Sequence, residues 1–259
     1  MTIDPGAGAA IAPLLFKPYT DCWDPSRWLR IEHALRRESN VYEHDISAML
    51  CSLNPPWEAP LVQLLCRATG RDYDDAMRVY TTQQFVKSTN SALDRRVPDF
   101  VVGRDHDGVV VPEIIVELKG NAWINGGWDY CPRYGDDVYS NQVLCYLHGC
   151  WTSVDLRDVA FCWIGLRAIV DNPVHEFPWG NKAVNERDGR DSYGLRIAYR
   201  RHRIAALHWR PLTIEDVAEV LRATDGGDVL ADLIDVWSES CAGVTPSDRS
   251  LQARRTHDS

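Results

Sequence analysis

The chain has 259 residues, 45% of them apolar, with 10 Trp and a formal net charge of −9. That length suits one domain with elaborations, and the apolar fraction supports a sizeable core. The acidic balance counts against a protein that binds nucleic acid through bulk charge, and no apolar run is long enough to span a bilayer.

The first residues, Met1 to Ala12, carry an Asp and no basic residue before a short apolar stretch, which is not the pattern of a signal peptide. Eight cysteines are present without a C-x-x-C pair, and most sit in apolar runs. A reduced, cytoplasmic, soluble protein is expected. Cys145, His148 and Cys150 lack a second ligand pair at zinc-site spacing, so they are not read as a metal site.

In chain order, residues 1–26 are rich in Gly, Ala and Pro and read as a flexible arm. A single domain is expected over 27–240, with its core at about 40–169 and a C-terminal elaboration over 170–240. Trp28 to Arg37 reads as a short amphipathic helix with Ser26 as its cap. Ile46, Met49, Leu50 and Leu53 recur at helical spacing, predicting a helix from Val41 to Leu53 that Asn54-Pro55-Pro56 ends. Pro60 should open a helix over Leu61 to Ala68, stopped by Gly70. Another turn or two of helix is expected at Asp74 to Tyr80.

The pattern then changes to β. Val79 to Val86 has strand character. Val97 to Val102 and Val109 to Leu118 read as strands joined by Asp105-His106-Asp107-Gly108, a hairpin signal. Ile114-Ile115-Val116 is wholly apolar, as in a strand buried on both faces. Gly120 to Tyr139 reads as a long aromatic loop with Trp123, Trp128, Tyr130, Tyr134 and Tyr139. Ser140 to His148 reads as a helix and Val159 to Ile169 as a buried strand. After a polar stretch, Ile204 to Trp209 is expected as a strand. Thr213 should cap a helix over Ile214 to Ala223, with Asp216 in the capping-box position. A last helix is expected from Asp228 to about Glu239, and 241–259 as a disordered tail.

Charged residues are costly in buried strands, so Glu117 and Lys119 at the end of the most apolar strand stand out. Side chains alternate along a strand, which puts Glu117 and Lys119 on one face and Leu118 on the other. Eight residues lie between Asp99 and Gly108, and nine from Val109 to Glu117. Pairing across the turn would therefore set Asp99 beside Glu117. Two adjacent carboxylates repel unless a cation lies between them, and oxygen donors suit Mg²⁺ or Mn²⁺. A lysine on the same face could position a water there. Metal, water and lysine together suit phosphodiester hydrolysis.

Pro98-Asp99 followed by Glu117-Leu118-Lys119 resembles the PD-(D/E)xK nuclease superfamily, whose fold is restriction-endonuclease-like. Gln142-Val143-Leu144-Cys145-Tyr146 is similar to the Q-x-x-x-Y motif on the next helix in many exonuclease-like branches. The element order resembles the family's αβββαβ core, and Glu43 resembles the acid of its first helix. Glu58 rivals Glu43 in position, but Pro60 interrupts the chain just after Glu58, whereas an unbroken helix succeeds Glu43, so Glu43 is preferred. The resemblance covers about Asn40 to Ile169.

It implies an α/β fold, a mixed central sheet flanked by helices, with helical N- and C-terminal additions. It also implies Mg²⁺-dependent hydrolysis of DNA, with RNA less favoured and Mn²⁺ able to substitute. Asp99, Glu117 and the Leu118 carbonyl would hold the metal. Lys119 would position water or stabilise charge on the phosphate. Glu43 would bind a second metal ion or orient a water, Gln142 would steady the nucleotide or Lys119, and Tyr146 would pack beside it. The role would fit restriction, phage defence or repair, and leaves room for a homodimer or a protein partner.

Between Arg196 and Arg210 the chain is basic and free of carboxylates, so Arg200, Arg201 and Arg203 are candidate phosphate contacts. The alternative is a nucleic-acid-binding module on the same fold with catalysis lost. A small-molecule enzyme is disfavoured, since no G-x-G-x-x-G or Walker loop succeeds a strand.

Overall fold

The computed structural model describes residues 17, 33–34, 41–81, 98–120, 126–131, 136–141, 159–170 and 209–242. Helix α1 (Glu43–Ser52) is followed at once by α2 (Pro55–Thr69). Ile46, Met49, Leu50 and Leu53 are all fully buried, as their helical spacing predicts. Asn54-Pro55-Pro56 does end α1, but it also starts α2, because prolines are tolerated in a first turn. Pro60 therefore lies inside α2 rather than opening it. An interior proline costs about 3 kcal/mol. Leu61, Val62 and Leu65 are completely buried on the same helix and contribute roughly 1.5–3 kcal/mol each, so packing outweighs the break. Gly70, at φ 71°, closes α2 in the left-handed conformation.

The expected helix over Asp74 to Tyr80 is replaced by a turn and strand β1 (Arg78–Thr81). Asp74 is the reason. Its carboxylate accepts from Ala76 N at 2.7 Å and its carbonyl from Met77 N at 2.9 Å, a local turn that competes with helix.

Strand β2 (Phe100–His106) runs further than expected and joins β3 (Val109–Lys119) through a two-residue turn. Asp107 and Gly108 have φ of 55° and 82°, the positive pair that such a turn requires. Strand β4 (Gly126–Cys131) pairs antiparallel with β5 (Asp136–Asn141) in a separate two-stranded sheet. This hairpin occupies the expected aromatic loop and takes in Ser140, the expected start of the next helix. Its Gly and Asp residues are depleted in strands generally, which hides it from a reading by propensity. Strand β6 (Ala160–Gly165) is buried throughout. Ile169, expected in that strand, lies instead in the short helix α3 (Arg167–Val170). Gly165 marks the change of direction. A Cβ there would sit 3.2 Å from the Trp163 ring and 3.3 Å from Val170 Cγ2.

Strand β7 (Trp209–Thr213) begins where the expected strand was to end. Helix α4 (Ile214–Arg222) starts as expected, with Thr213 Oγ1 accepting from Asp216 N at 3.1 Å. Helix α5 (Asp228–Ala242) ends the described chain.

The main sheet has the order β1-β2-β3-β6-β7. β1, β2 and β3 form an antiparallel meander, and β6 and β7 run parallel to β3. The fold is thus α/β with a mixed sheet flanked by helices. Ile114, Val116 and Leu118 of β3 join one core with residues of α1, α2, α4 and α5. Ile115 and Glu117 on the other face are buried too, so β3 is covered on both sides as its apolar run predicts. Residues 209–242, expected as an elaboration, supply one strand of this sheet and two helices on the same core. Among the described residues no helix is long and apolar enough to cross a membrane. Cys51, Cys66, Cys162 and Cys241 are free thiols.

Candidate active site

The register of the β2–β3 hairpin sets the site. From His106↔Val109 to Gly103↔Pro112 the pairing is regular, but Val102 then pairs with Ile114. Glu113 is the extra residue of a bulge. Without it, Asp99 would oppose Val116. With it, Phe100 pairs with Val116, and one step further Asp99 stands across from Glu117. A one-residue slip moves a strand's side chains to the other face, so the bulge decides whether the two carboxylates meet. Gly103 permits it, since a Cβ there would run into the Val111 carbonyl.

Asp99 precedes β2 and continues the pairing by its side chain. Its Oδ2 accepts from Leu118 N at 2.7 Å. Leu118 itself points into the core, while Glu117 and Lys119 are 2% and 6% exposed. Lys119 Nζ lies 2.7 Å from Glu117 Oε1 and 3.3 Å from Glu43 Oε1. Glu43, at the start of α1, also accepts from Gly120 N through Oε2 at 2.9 Å. Four side chains from α1, the start of β2 and the end of β3 therefore converge at one end of the sheet's inner strands. Lys119, Gly165 and Thr213 align across the ends of parallel strands β3, β6 and β7. The carboxyl ends of parallel strands are where open α/β sheets bind ligands.

Burial, and then the negative charge of Glu117, pushes the Asp99 carboxyl up to about 7. For Lys119, burial alone would lower the value, but the carboxylates of Glu117 and Glu43 more than offset it and raise it above the usual lysine range. The two carboxylates thus favour the charged form of Lys119.

Glu58, the rival of Glu43, is placed elsewhere. It is buried, and its Oε1 accepts from Lys17 Nζ at 2.6 Å and from Val79 N at 2.7 Å. That links α2 to β1 and to the N-terminal segment.

Among the described residues, no group of three or more His, Cys, Asp and Glu is arranged to hold a metal ion. The donor set is smaller: Asp99 and Glu117, with backbone carbonyls beside them. Mg²⁺ is commonly held by one or two carboxylates plus waters and substrate phosphate. The excess of negative charge seen at Asp99 is what a divalent cation relieves. The residues fit such an ion. Gln142, Tyr146, Arg200, Arg201 and Arg203 lie outside the described residues, as do Cys145, His148 and Cys150.

Sequence reasoning misses Gly120. Its amide holds Glu43, and a Cβ at Gly120 would lie 2.9 Å from the Trp237 ring and 3.1 Å from Cys241 Sγ. A glycine straight after a buried strand marks close approach, so a signal for it exists in the sequence. The bulge at Glu113 and the stacking of Tyr42 on His44 are visible only in the structure.

No protein-family model, curated protein or solved structure matches this chain.

Proposed function

We propose that the chain is a metal-dependent nuclease of the PD-(D/E)xK type acting on DNA. The observation that carries this reading is the convergence of Asp99, Glu117, Lys119 and Glu43 at one end of the sheet's inner strands, with Asp99 and Glu117 opposed. The described elements, two helices, a three-stranded meander and a parallel fourth strand, support the restriction-endonuclease-like core.

Asp99 and Glu117 would hold Mg²⁺, helped by the Leu118 carbonyl, with Mn²⁺ able to substitute. When bound, the ion supplies Lewis-acid polarisation of the phosphoryl oxygen and a more acidic water. Asp99 gives up its proton to take that role, which its value of about 7 allows near neutrality. Lys119, held cationic by Glu117 and Glu43, donates to the phosphate oxygens or to the attacking water and stabilises negative charge as it develops. Glu43 fixes the lysine and the Gly120 amide, and would orient a water or serve a second ion. Gln142, Tyr146 and the arginines at 200, 201 and 203 keep the roles that the resemblance and the local charge suggest.

The test is cleavage of plasmid and oligonucleotide DNA with Mg²⁺, Mn²⁺ or EDTA. Cleavage that needs the metal and vanishes in Asp99→Ala supports the reading. Full activity in Asp99→Ala overturns it.

A further inference from the structure

Glu43 is flanked in sequence by two aromatic side chains that the mechanism does not use. Tyr42 and His44 stack on each other, with ring centroids 5.5 Å apart and planes only 6° from parallel. Tyr42 is 53% exposed, and among the described residues only it and Val109, beside the hairpin turn, are large apolar side chains left in the open. The His44 side chain is 59% exposed.

The pair is held in place without a ligand. Asp45 is buried, and its Oδ2 accepts from Tyr42 N at 3.2 Å while Oδ1 lies 3.4 Å from His44 Nε2. One buried carboxylate thus fixes the backbone of the first ring and the edge of the second, so little ordering cost remains on binding. Consecutive Cα atoms are about 3.8 Å apart, and the carboxylate of the residue between the rings reaches Lys119 and Gly120. The rings therefore flank, in sequence, the residue whose carboxylate reaches the proposed chemistry.

We infer that Tyr42 and His44 form a stacking platform for an unpaired nucleobase of the substrate, so that the site takes single-stranded nucleic acid. This deepens the nuclease reading and rests on it. Two further facts favour a base over other occupants. The described surroundings are acidic, with Glu43, Asp45, Glu117 and Asp99 in the neighbourhood of Lys119, which disfavours affinity from ion pairing with phosphate alone. Stacking is another source and tolerates any base. Bases inside a duplex are already stacked on their neighbours, which leaves an unpaired one as the partner for an exposed ring.

The experiment is binding of a labelled oligothymidylate, and of the same strand annealed to its complement, to the full chain in EDTA, where turnover is stopped. Wild type should prefer the single strand. Tyr42→Ala should weaken single-strand binding roughly 5- to 150-fold, the range of one lost base–aromatic stack, and Tyr42→Phe should restore it. The slope of affinity against salt should not change, because no phosphate contact is lost. Asp45 grips residue 42 through its backbone, so Tyr42→Ala should melt with wild type. If it does not, His44→Ala provides the second reading, with a smaller loss in the same direction. Wild-type affinity in both variants, a Tyr42→Phe protein as weak as Tyr42→Ala, or a wild type without single-strand preference overturns the platform. Retained single-strand preference with no metal-dependent cleavage overturns the nuclease reading and leaves the platform standing.

Discussion

Helices α1 and α2 each carry a glutamate near their start, and the two end in different company. Glu58 meets one lysine, Lys17, and one backbone amide, Val79 N. Charge there is balanced one to one. Among the described residues, Glu43 joins Asp99 and Glu117 around the ammonium of Lys119, so three carboxylates share that lysine. Both clusters reach into buried structure, so burial does not tell them apart. Charge balance does. A balanced pair ties segments together, whereas an excess of buried negative charge raises the free energy of the metal-free fold and favours uptake of a cation.

The comparison breaks most sharply at Asp99. Asp99→Ala should reduce cleavage to background while the metal-free protein melts at the same temperature or higher, because one of two repelling carboxylates is gone. A thermal scan beside a cleavage assay decides it, and a large drop in melting temperature with activity intact would place Asp99 with the structural cluster.

Lys119→Ala should come next. It removes the cation that Glu117 and Glu43 share, so turnover should fall roughly 10²–10³-fold. The metal-free protein should lose about 3–5 kcal/mol, as when one partner of a buried pair is deleted. Mn²⁺ should restore part of the melting temperature without restoring the rate. Loss of metal binding with an unchanged rate at saturating metal would assign Lys119 a different role.

The third contrast sets Glu43→Gln against Glu58→Gln. Glu58→Gln should cost about 1.5–3 kcal/mol of stability, the range for a hydrogen bond to a charged group, with activity per folded molecule retained. Glu43→Gln should lose more activity than stability. Equal effects would dissolve the distinction between the clusters.

The last contrast is in pH dependence. Asp99 has a folded value of about 7 against an ordinary 3.8, so the folded state binds its proton more tightly than the unfolded chain does. Its stabilising share is complete below about pH 4 and is lost as the pH rises through 7. Asp99→Asn keeps an acceptor for Leu118 N and removes the titration. It should be more stable than wild type at pH 8, by on the order of 2–4 kcal/mol, and the advantage should shrink toward pH 4. Equal chemical denaturation curves at pH 8 would remove charge excess as the explanation.

How much of the fold is legible in the sequence depends on how local each signal is. The apolar run through Ile114 and Val116, the Asp107-Gly108 turn, the helical spacing of Ile46 to Leu53 and the Thr213 cap are all short-range, and all appear in the structure. The meeting of Asp99 with Glu117 is expected from nearly equal arm lengths, yet a regular hairpin alone would miss by one residue. The bulge at Glu113 supplies the difference. Pro60 misleads because its penalty is local and the burial of Leu61 and Leu65 that offsets it is not. The β4–β5 hairpin is hidden by its Gly and Asp content. In the sequence, only the unbroken helix after Glu43 separates it from Glu58. The contacts that separate them in the structure, Lys119 and Gly120 for one and Lys17 and Val79 for the other, are long-range.

The central claim is that the Asp99–Glu117 cluster takes up a divalent cation and the Glu58 cluster does not. Calorimetric titration of Mn²⁺ into wild type, Asp99→Asn and Glu58→Gln at pH 8 tests it most directly. Wild type and Glu58→Gln should bind Mn²⁺, and Asp99→Asn should lose binding or bind far more weakly. Lowering the pH below 7 should weaken binding to wild type by up to about tenfold per unit, as the proton competes for Asp99. Undiminished Mn²⁺ binding by Asp99→Asn, or none by wild type, would contradict the claim.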